Sequence, residues 1–153
     1  MIPKRIVLDT NVCLDLFVFR DPRWTLLHAA LMNGTIEAVT RDDCRMEWSI
    51  VLRYPHLKLD DAARLRVAAE FDALIRCNPM PALDAEAAKL PICKDSDDQK
   101  FLELSRDIKA DVLITKDKAL LKLARKTRRD GLFAIMTPEA WTLETSALPQ
   151  TIE

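Results

Sequence analysis

Arg5-Ile6-Val7-Leu8-Asp9 is the stretch that decides the fold. Three successive apolar residues, two of them β-branched, end on an acid. A run this short, with no polar alternation, reads as a strand buried on both faces, the habit of parallel sheets. Ile36–Val39, Val112–Thr115 and Phe133–Met136 repeat the pattern downstream. Helical stretches separate them. Val12–Phe19 predicts a short helix. Asp21-Pro22 has the form of an N-cap followed by Pro, opening a helix with Trp24, Leu27, His28 and Leu31 on one face and Gly34 as its C-terminal stop. Asp42 or Asp43 starts a helix to about Arg53, halted by Pro55. Leu59–Cys77 predicts a long helix, opened by Asp60 and Asp61 and closed by Asn78-Pro79. Residues 78–94 are proline-punctuated, with a short helix expected near Asp84–Lys89. Ser96 or Asp97 caps a helix through Ile108, Asp117–Arg128 forms another, and Thr137-Pro138-Glu139 opens a last one to about Leu143. Short strands alternating with helices predict a parallel α/β sheet covered on both faces, whose site lies at the carboxyl ends of the strands.

The chain has 153 residues, of which 49% are hydrophobic and 31% charged, enough core for one domain. That domain is expected over 1–145, with 146–153 as a flexible tail. Only two glycines occur, Gly34 and Gly131. A Walker A loop, a G-x-G-x-x-G turn and a G-x-S-x-G elbow all need clustered glycines, so those functions are excluded. The four cysteines form no C-x-x-C pair, and the two histidines, His28 and His56, have no partner at metal-ligand spacing. No run is long enough for a signal peptide core or a membrane span, and a cytoplasmic location is expected. Net charge is −1, which is no nucleic-acid signature by itself. The cations are uneven, however: Lys116, Lys118, Lys122, Arg125, Lys126, Arg128 and Arg129 crowd one segment. They form either a solvated helix face or a stripe that attracts phosphates.

Four acids occupy unusual places. Asp9 and Asp117 lie at or just past the carboxyl ends of predicted strands, where an acid serves as a helix N-cap or as a site residue. Glu47 falls on or beside the apolar stripe of its helix, with Cys44, Ile50 and Val51 as neighbours. A carboxylate there needs a partner, either a Lys or Arg in a salt bridge or a shared site. Asp98 heads the face carrying Phe101, Leu102 and Ser105, within the run Asp95-Ser96-Asp97-Asp98. Two like charges ~4 Å apart repel by about 4 kcal/mol at an effective dielectric near 20, so converging carboxylates call for a cation. With neither His nor Cys clustered, the ligands are all oxygen, which suits Mg²⁺ or Mn²⁺. Such a cation can activate water and stabilise charge on a phosphate.

The sequence resembles the PIN-domain ribonucleases, in particular those that act as the toxin of bacterial toxin–antitoxin pairs. The stretches that carry the resemblance are Ile6-Val7-Leu8-Asp9-Thr10-Asn11-Val12, Met46-Glu47-Trp48-Ser49-Ile50-Val51-Leu52, Asp95-Ser96-Asp97-Asp98-Gln99-Lys100-Phe101-Leu102-Glu103-Leu104, and Ala110-Asp111-Val112-Leu113-Ile114-Thr115-Lys116-Asp117-Lys118-Ala119-Leu120-Leu121. They agree in order and spacing over most of the chain. The resemblance implies a Rossmann-like α/β/α sandwich around a parallel sheet, and metal-dependent hydrolysis of RNA. It places the catalytic and metal-binding acids at Asp9, Glu47, Asp98 and Asp117. Glu47 holds a metal or orients the attacking water. Asn11 and Thr115 fall beside the acids as positioning and supporting residues, and Asp95 joins the site or the cap. Lys118, Lys122, Arg125 and Lys126 are candidate RNA-backbone contacts. RNA is the implied substrate, an antitoxin protein the implied partner, and a homodimer a further partner to consider. Two departures stand out: Ser105 replaces a small apolar residue, and Arg41–Met46 is unusually charged.

Two other readings remain open at this stage. A non-catalytic domain of the same fold would bind RNA or a protein without cutting. An aspartate-nucleophile phosphohydrolase would use Asp9, but its usual second Asp two residues on is here Asn11, which cannot cycle a proton.

Overall fold

A computed structural model describes residues 4–79, 81 and 84–147. Five parallel strands form one sheet: β1 (Lys4–Leu8), β2 (Ile36–Arg41), β3 (Ile75–Asn78), β4 (Val112–Ile114) and β5 (Ala134–Met136). Their order across the sheet is β3-β2-β1-β4-β5. Side chains alternate across the strands. Ile6, Leu8, Val112 and Ile114 enter one core with Phe17, Trp48, Phe71 and Trp141. Val7 and Leu113 enter the other with Phe101, Leu102, Leu104 and Leu120. Both faces are therefore dry, which is why the strands read as unbroken apolar runs. This is the expected three-layer α/β/α sandwich.

The helices are α1 (Thr10–Cys13), α2 (Thr25–Met32), α3 (Asp42–Val51), α4 (Asp61–Leu74), α5 (Gln99–Asp107), α6 (Lys118–Leu121), α7 (Ala124–Arg129) and α8 (Pro138–Ala147). No helix among the described residues is long and apolar enough to cross a membrane.

Several elements depart from the sequence reading. The helix expected over Val12–Phe19 is α1 followed by a π-turn, Leu14–Val18, which buries Asp15, Leu16 and Phe17. The long helix stops at Leu74. Ile75 is extended (φ −124°, ψ 117°), and the next residues pair with β2 as an edge strand, Ala38 opposite Ile75. The helix expected over Asp117–Arg128 breaks into α6 and α7. Near Asp84 the chain makes only a turn, in which Asp84 Oδ1 accepts from the Glu86 N–H at 2.9 Å. The last helix continues to Ala147, past the expected end, and 148–153 of the expected tail lie outside the described residues.

β1 is the switch point of the sheet. The chain leaves it toward β2 on one side, while β4 arrives on the other, with Leu8 opposite Ile114. In sheets of this kind the crevice that takes a ligand lies at the carboxyl edge, outside such a switch point.

Candidate active site

Asp9 follows β1 directly. Its N–H donates to the Ile114 carbonyl at 3.0 Å, which locks it to β4. Its carboxylate caps α1, with Oδ1 accepting from the Thr10 N–H at 2.7 Å and Oδ2 accepting from the Thr115 hydroxyl at 2.6 Å. Asp117 enters from β4. Its N–H donates to Thr115 Oγ1 at 2.9 Å, and its Oδ1 caps α6 by accepting from the Ala119 N–H at 2.8 Å. Thr115 is fully buried and ties the two acids together. Both strand-end acids are thus N-caps, and both are also neighbours.

Asp98 comes from the other direction, as the last residue of a 3₁₀ turn (Ser96–Asp98) that leads into α5. Asp95 caps that turn, its Oδ1 accepting from the Asp97 N–H at 3.0 Å. Phe101 and Leu102 anchor the face of α5 that Asp98 heads, and they draw its carboxyl inward. Asp98 is only 8% exposed, and its Oδ2 is buried without a hydrogen-bond partner. Carboxylate oxygens of Asp9, Asp98 and Asp117 lie within 4.8 Å of one another.

Electrostatics follow from this crowding. Burial pushes the Asp9 carboxyl up to about 6, against the pull of its Thr115 and Thr10 hydrogen bonds; the charges of Glu47 and Asp117 add to the rise. Burial first, and then the facing Asp117 carboxyl, hold Asp98 well above the usual carboxylate range. Asp117 moves the other way, held below the usual carboxylate range first by the facing Asp98 carboxyl, against the cost of burial. Two ionised carboxylates have no donor between them, so the facing oxygens repel unless Asp98 keeps a proton. The cluster relieves its own repulsion by holding that proton, or by exchanging it for a cation.

Glu47 does not belong to this trio. It projects from α3 and is clamped from two sides: Thr10 Oγ1 donates to its Oε2, and Lys100 Nζ donates to its Oε1 at 3.0 Å. The salt-bridge alternative for Glu47 is therefore the geometry observed, beside Asp9 rather than within the cluster. Asn11 Oδ1 is buried at the same edge without a hydrogen-bond partner. Thr10 and Lys100 were not singled out in the sequence. Lys100 lies two residues past Asp98, and the need of Glu47 for a cation was the available signal.

A second omission is Asp15. The π-turn buries it, and its Oδ2 accepts from Trp24 Nε1 at 3.3 Å and pairs with Lys116 Nζ at 2.7 Å. That pair removes Lys116 from the basic run, and Arg129 is paired with Asp130. Lys118, Lys122, Arg125, Lys126 and Arg128 are exposed and form no ion pair with another described residue.

Three oxygen-bearing acids, one with an orphaned buried oxygen, make a donor set of the kind that hard divalent cations take. The family model described as PIN domain matches residues 5–119. No curated protein matches the chain. PIN domains are typically metal-dependent nucleases. The match runs from β1 to the start of α6, so it takes in Asp9, Glu47, Asp98 and Asp117 as well as the sheet that positions them, and the chain belongs to the PIN-domain family.

Proposed function

We propose that this chain is a metal-dependent endoribonuclease whose centre is Asp9, Asp98 and Asp117. The observation that carries the reading is the buried, unpartnered Oδ2 of Asp98 beside two other carboxylates. Nothing in a purely structural cap calls for it. Asp9, Asp98 and Asp117 would hold Mg²⁺ or Mn²⁺, both of which favour oxygen donors. When bound, the cation supplies positive charge against the carboxylates and the phosphate.

The remaining work falls to the protein. Thr115 fixes the Asp9 oxygen and the Asp117 backbone together, so the acids keep their spacing when RNA arrives. Asn11 offers a free amide at the crevice and positions the substrate. Asp95 supports the site from outside, by capping the turn that delivers Asp98. Lys118, Lys122, Arg125 and Lys126 contact the RNA backbone. In the reaction, a water oxygen forms a new bond to phosphorus and the bond to the departing ribose oxygen breaks. The water proton ends on that departing oxygen, leaving a phosphomonoester and a hydroxyl. The motif resemblance extends the proposal to a toxin role, with an antitoxin protein as partner.

The test is cleavage of a labelled single-stranded RNA oligomer in Mg²⁺ or Mn²⁺ and in chelator. Cleavage in either metal and silence in chelator are expected. Activity that survives exhaustive chelation would remove the metal mechanism.

A further inference from the structure

The clamp on Glu47 is more than a salt bridge on a surface. Lys100 is largely buried, with its side chain 17% exposed, and Glu47 is 28% exposed. An ammonium has three donors. Lys100 spends one on Glu47 Oε1 and a second on the Asp97 carbonyl, at the turn that delivers Asp98. Its charge also lies over the Phe101 ring at 5.1 Å. Each oxygen of Glu47 thus carries its own donor, Lys100 on one and Thr10 on the other, while Asp9, Asp98 and Asp117 converge without it.

We propose that Lys100 is a positioning residue, which holds Glu47 in one orientation and set back from the three-acid cluster so that Glu47 orients the attacking water rather than serving as a fourth metal ligand. The proposal rests on the nuclease reading above. Two observations support it independently of any ligand. Lys100 joins Glu47 and the Asp97 carbonyl, and so ties α3 to the turn before α5 across the crevice. Thr10, adjacent to Asp9, fixes the second oxygen, so the spare lone pairs of Glu47 stand beside the cluster in one orientation. A carboxylate held by two donors keeps its direction, and direction is what orienting a water requires.

The experiment compares Mn²⁺ affinity, by calorimetry, with steady-state cleavage of a labelled single-stranded RNA oligomer. The variants are Glu47→Gln, Lys100→Met, Lys100→Arg and Asp98→Asn. Glu47→Gln and Lys100→Met should leave the Mn²⁺ dissociation constant within threefold of wild type, while Asp98→Asn raises it at least tenfold. Lys100→Met should lower kcat at least tenfold with KM within threefold, and Lys100→Arg should restore part of that loss. The double variant with Glu47→Gln should be no slower than Glu47→Gln alone. Should Lys100→Met fail to fold, Thr10→Ala removes the other donor and carries the same expectation.

Weakened Mn²⁺ binding in Glu47→Gln, comparable to Asp98→Asn, overturns the proposal and leaves the nuclease reading standing. So does a rise in KM with kcat unchanged, which would make Lys100 an RNA contact. A wild-type protein that binds no Mn²⁺ or cuts no RNA removes the nuclease reading, and the proposal with it.

Discussion

Two charged clusters lie at the carboxyl ends of neighbouring strands, and only one of them is balanced by the chain. At the end of β2, Arg41 is 3% exposed and carries Asp43 at 2.7 Å, Glu103 at 2.9 Å and Asp107 at 3.7 Å. The Asp43 hydrogen bond is the main cause that lifts the guanidinium above its ordinary range, against the cost of burial, and Asp43 is lowered in return. One strand over, Asp9, Asp98 and Asp117 gather with no cation among them, since the nearby Lys100 is committed to Glu47. Both clusters bury charge, but the first finds its counter-charge within the chain. The second answers its own repulsion by raising carboxyl affinities for protons, and is left dependent on what solution supplies.

The largest effect should come from breaking the unbalanced side. Asp9→Asn deletes charge at nearly constant shape and should cut RNA cleavage by a factor on the order of a thousand, about 4 kcal/mol in the barrier. The fold should survive, as judged by circular dichroism, because the amide oxygen can still cap α1. An unfolded variant would make Asp9 a structural cap alone. The balanced side should respond in the opposite currency. Arg41→Met should destabilise the fold by about 3 kcal/mol, the low end for breaking a buried pair, since its acids are partly solvated. Urea unfolding with and without Mn²⁺ measures this, and the stabilisation by Mn²⁺ should match wild type. A changed Mn²⁺ response would mean that the two clusters are coupled through α3 and α5.

The contrast also marks how far the sequence could be read. Asp9 and Asp117 were legible because short apolar runs announce parallel strands, and parallel strands bring their carboxyl ends to one edge. Asp98 was legible as an acid on an apolar face. The pairing of Glu47 was not, because Lys100 is 53 positions away and residue type does not specify a partner. The charges of Arg41–Met46, out of keeping with a buried strand end, turn out to hold the Arg41–Asp43 pair. Ser105, the other departure, is fully buried and satisfied by the Phe101 carbonyl at 2.7 Å, so a small polar residue fills a small apolar place. β3 escaped because it is an edge strand of four residues of which only Ile75 is buried, and it shows neither alternation nor an apolar run.

A smaller effect separates proton from cation as the relief of repulsion. In chelator, the Asp9 pKa of about 6 exceeds the ordinary 3.8, so the folded protein binds more protons than the unfolded chain across that window. Stability from this group is full below about pH 4 and lost as pH rises through 6, about 3 kcal/mol at most. Asp98, also raised, extends the fall to higher pH. Asp21 and Asp43 are lowered, so their opposite contributions act below the window. Asp98→Asn should therefore be about 1–2 kcal/mol more stable than wild type in chelator at pH 8, because its amide can donate where Asp98 needed a proton. It should also lose most of the ~2.7 kcal/mol that wild type gains at a hundredfold excess of Mn²⁺ over its dissociation constant. Melting curves across pH and Mn²⁺ decide this. A variant less stable in chelator, with the metal response intact, would remove Asp98 from the cluster.

The smallest effect concerns a second place where charge goes unbalanced, the cations that follow Asp117. Their neighbours in sequence are spent within the chain, Lys116 on Asp15 and Arg129 on Asp130. Lys122, Arg125 and Lys126 are exposed and form no ion pair with another described residue. On the proposed nuclease reading, these free cations would present an RNA strand with positive charge for its backbone, outside the centre that would act on one phosphate. Neutralising all three to Gln should weaken binding of single-stranded RNA about tenfold at low salt. It should also flatten the plot of log affinity against log salt by about 2, since each lost contact to single-stranded nucleic acid removes about 0.7 from the slope. Because these side chains act on binding, single-turnover cleavage at saturating RNA should stay within twofold of wild type. A salt slope that does not move would make the stripe a solvated helix face. A cleavage rate that falls at saturation would instead move the stripe into the catalytic centre and erase the separation between the acids that act on a phosphate and the cations that hold the strand.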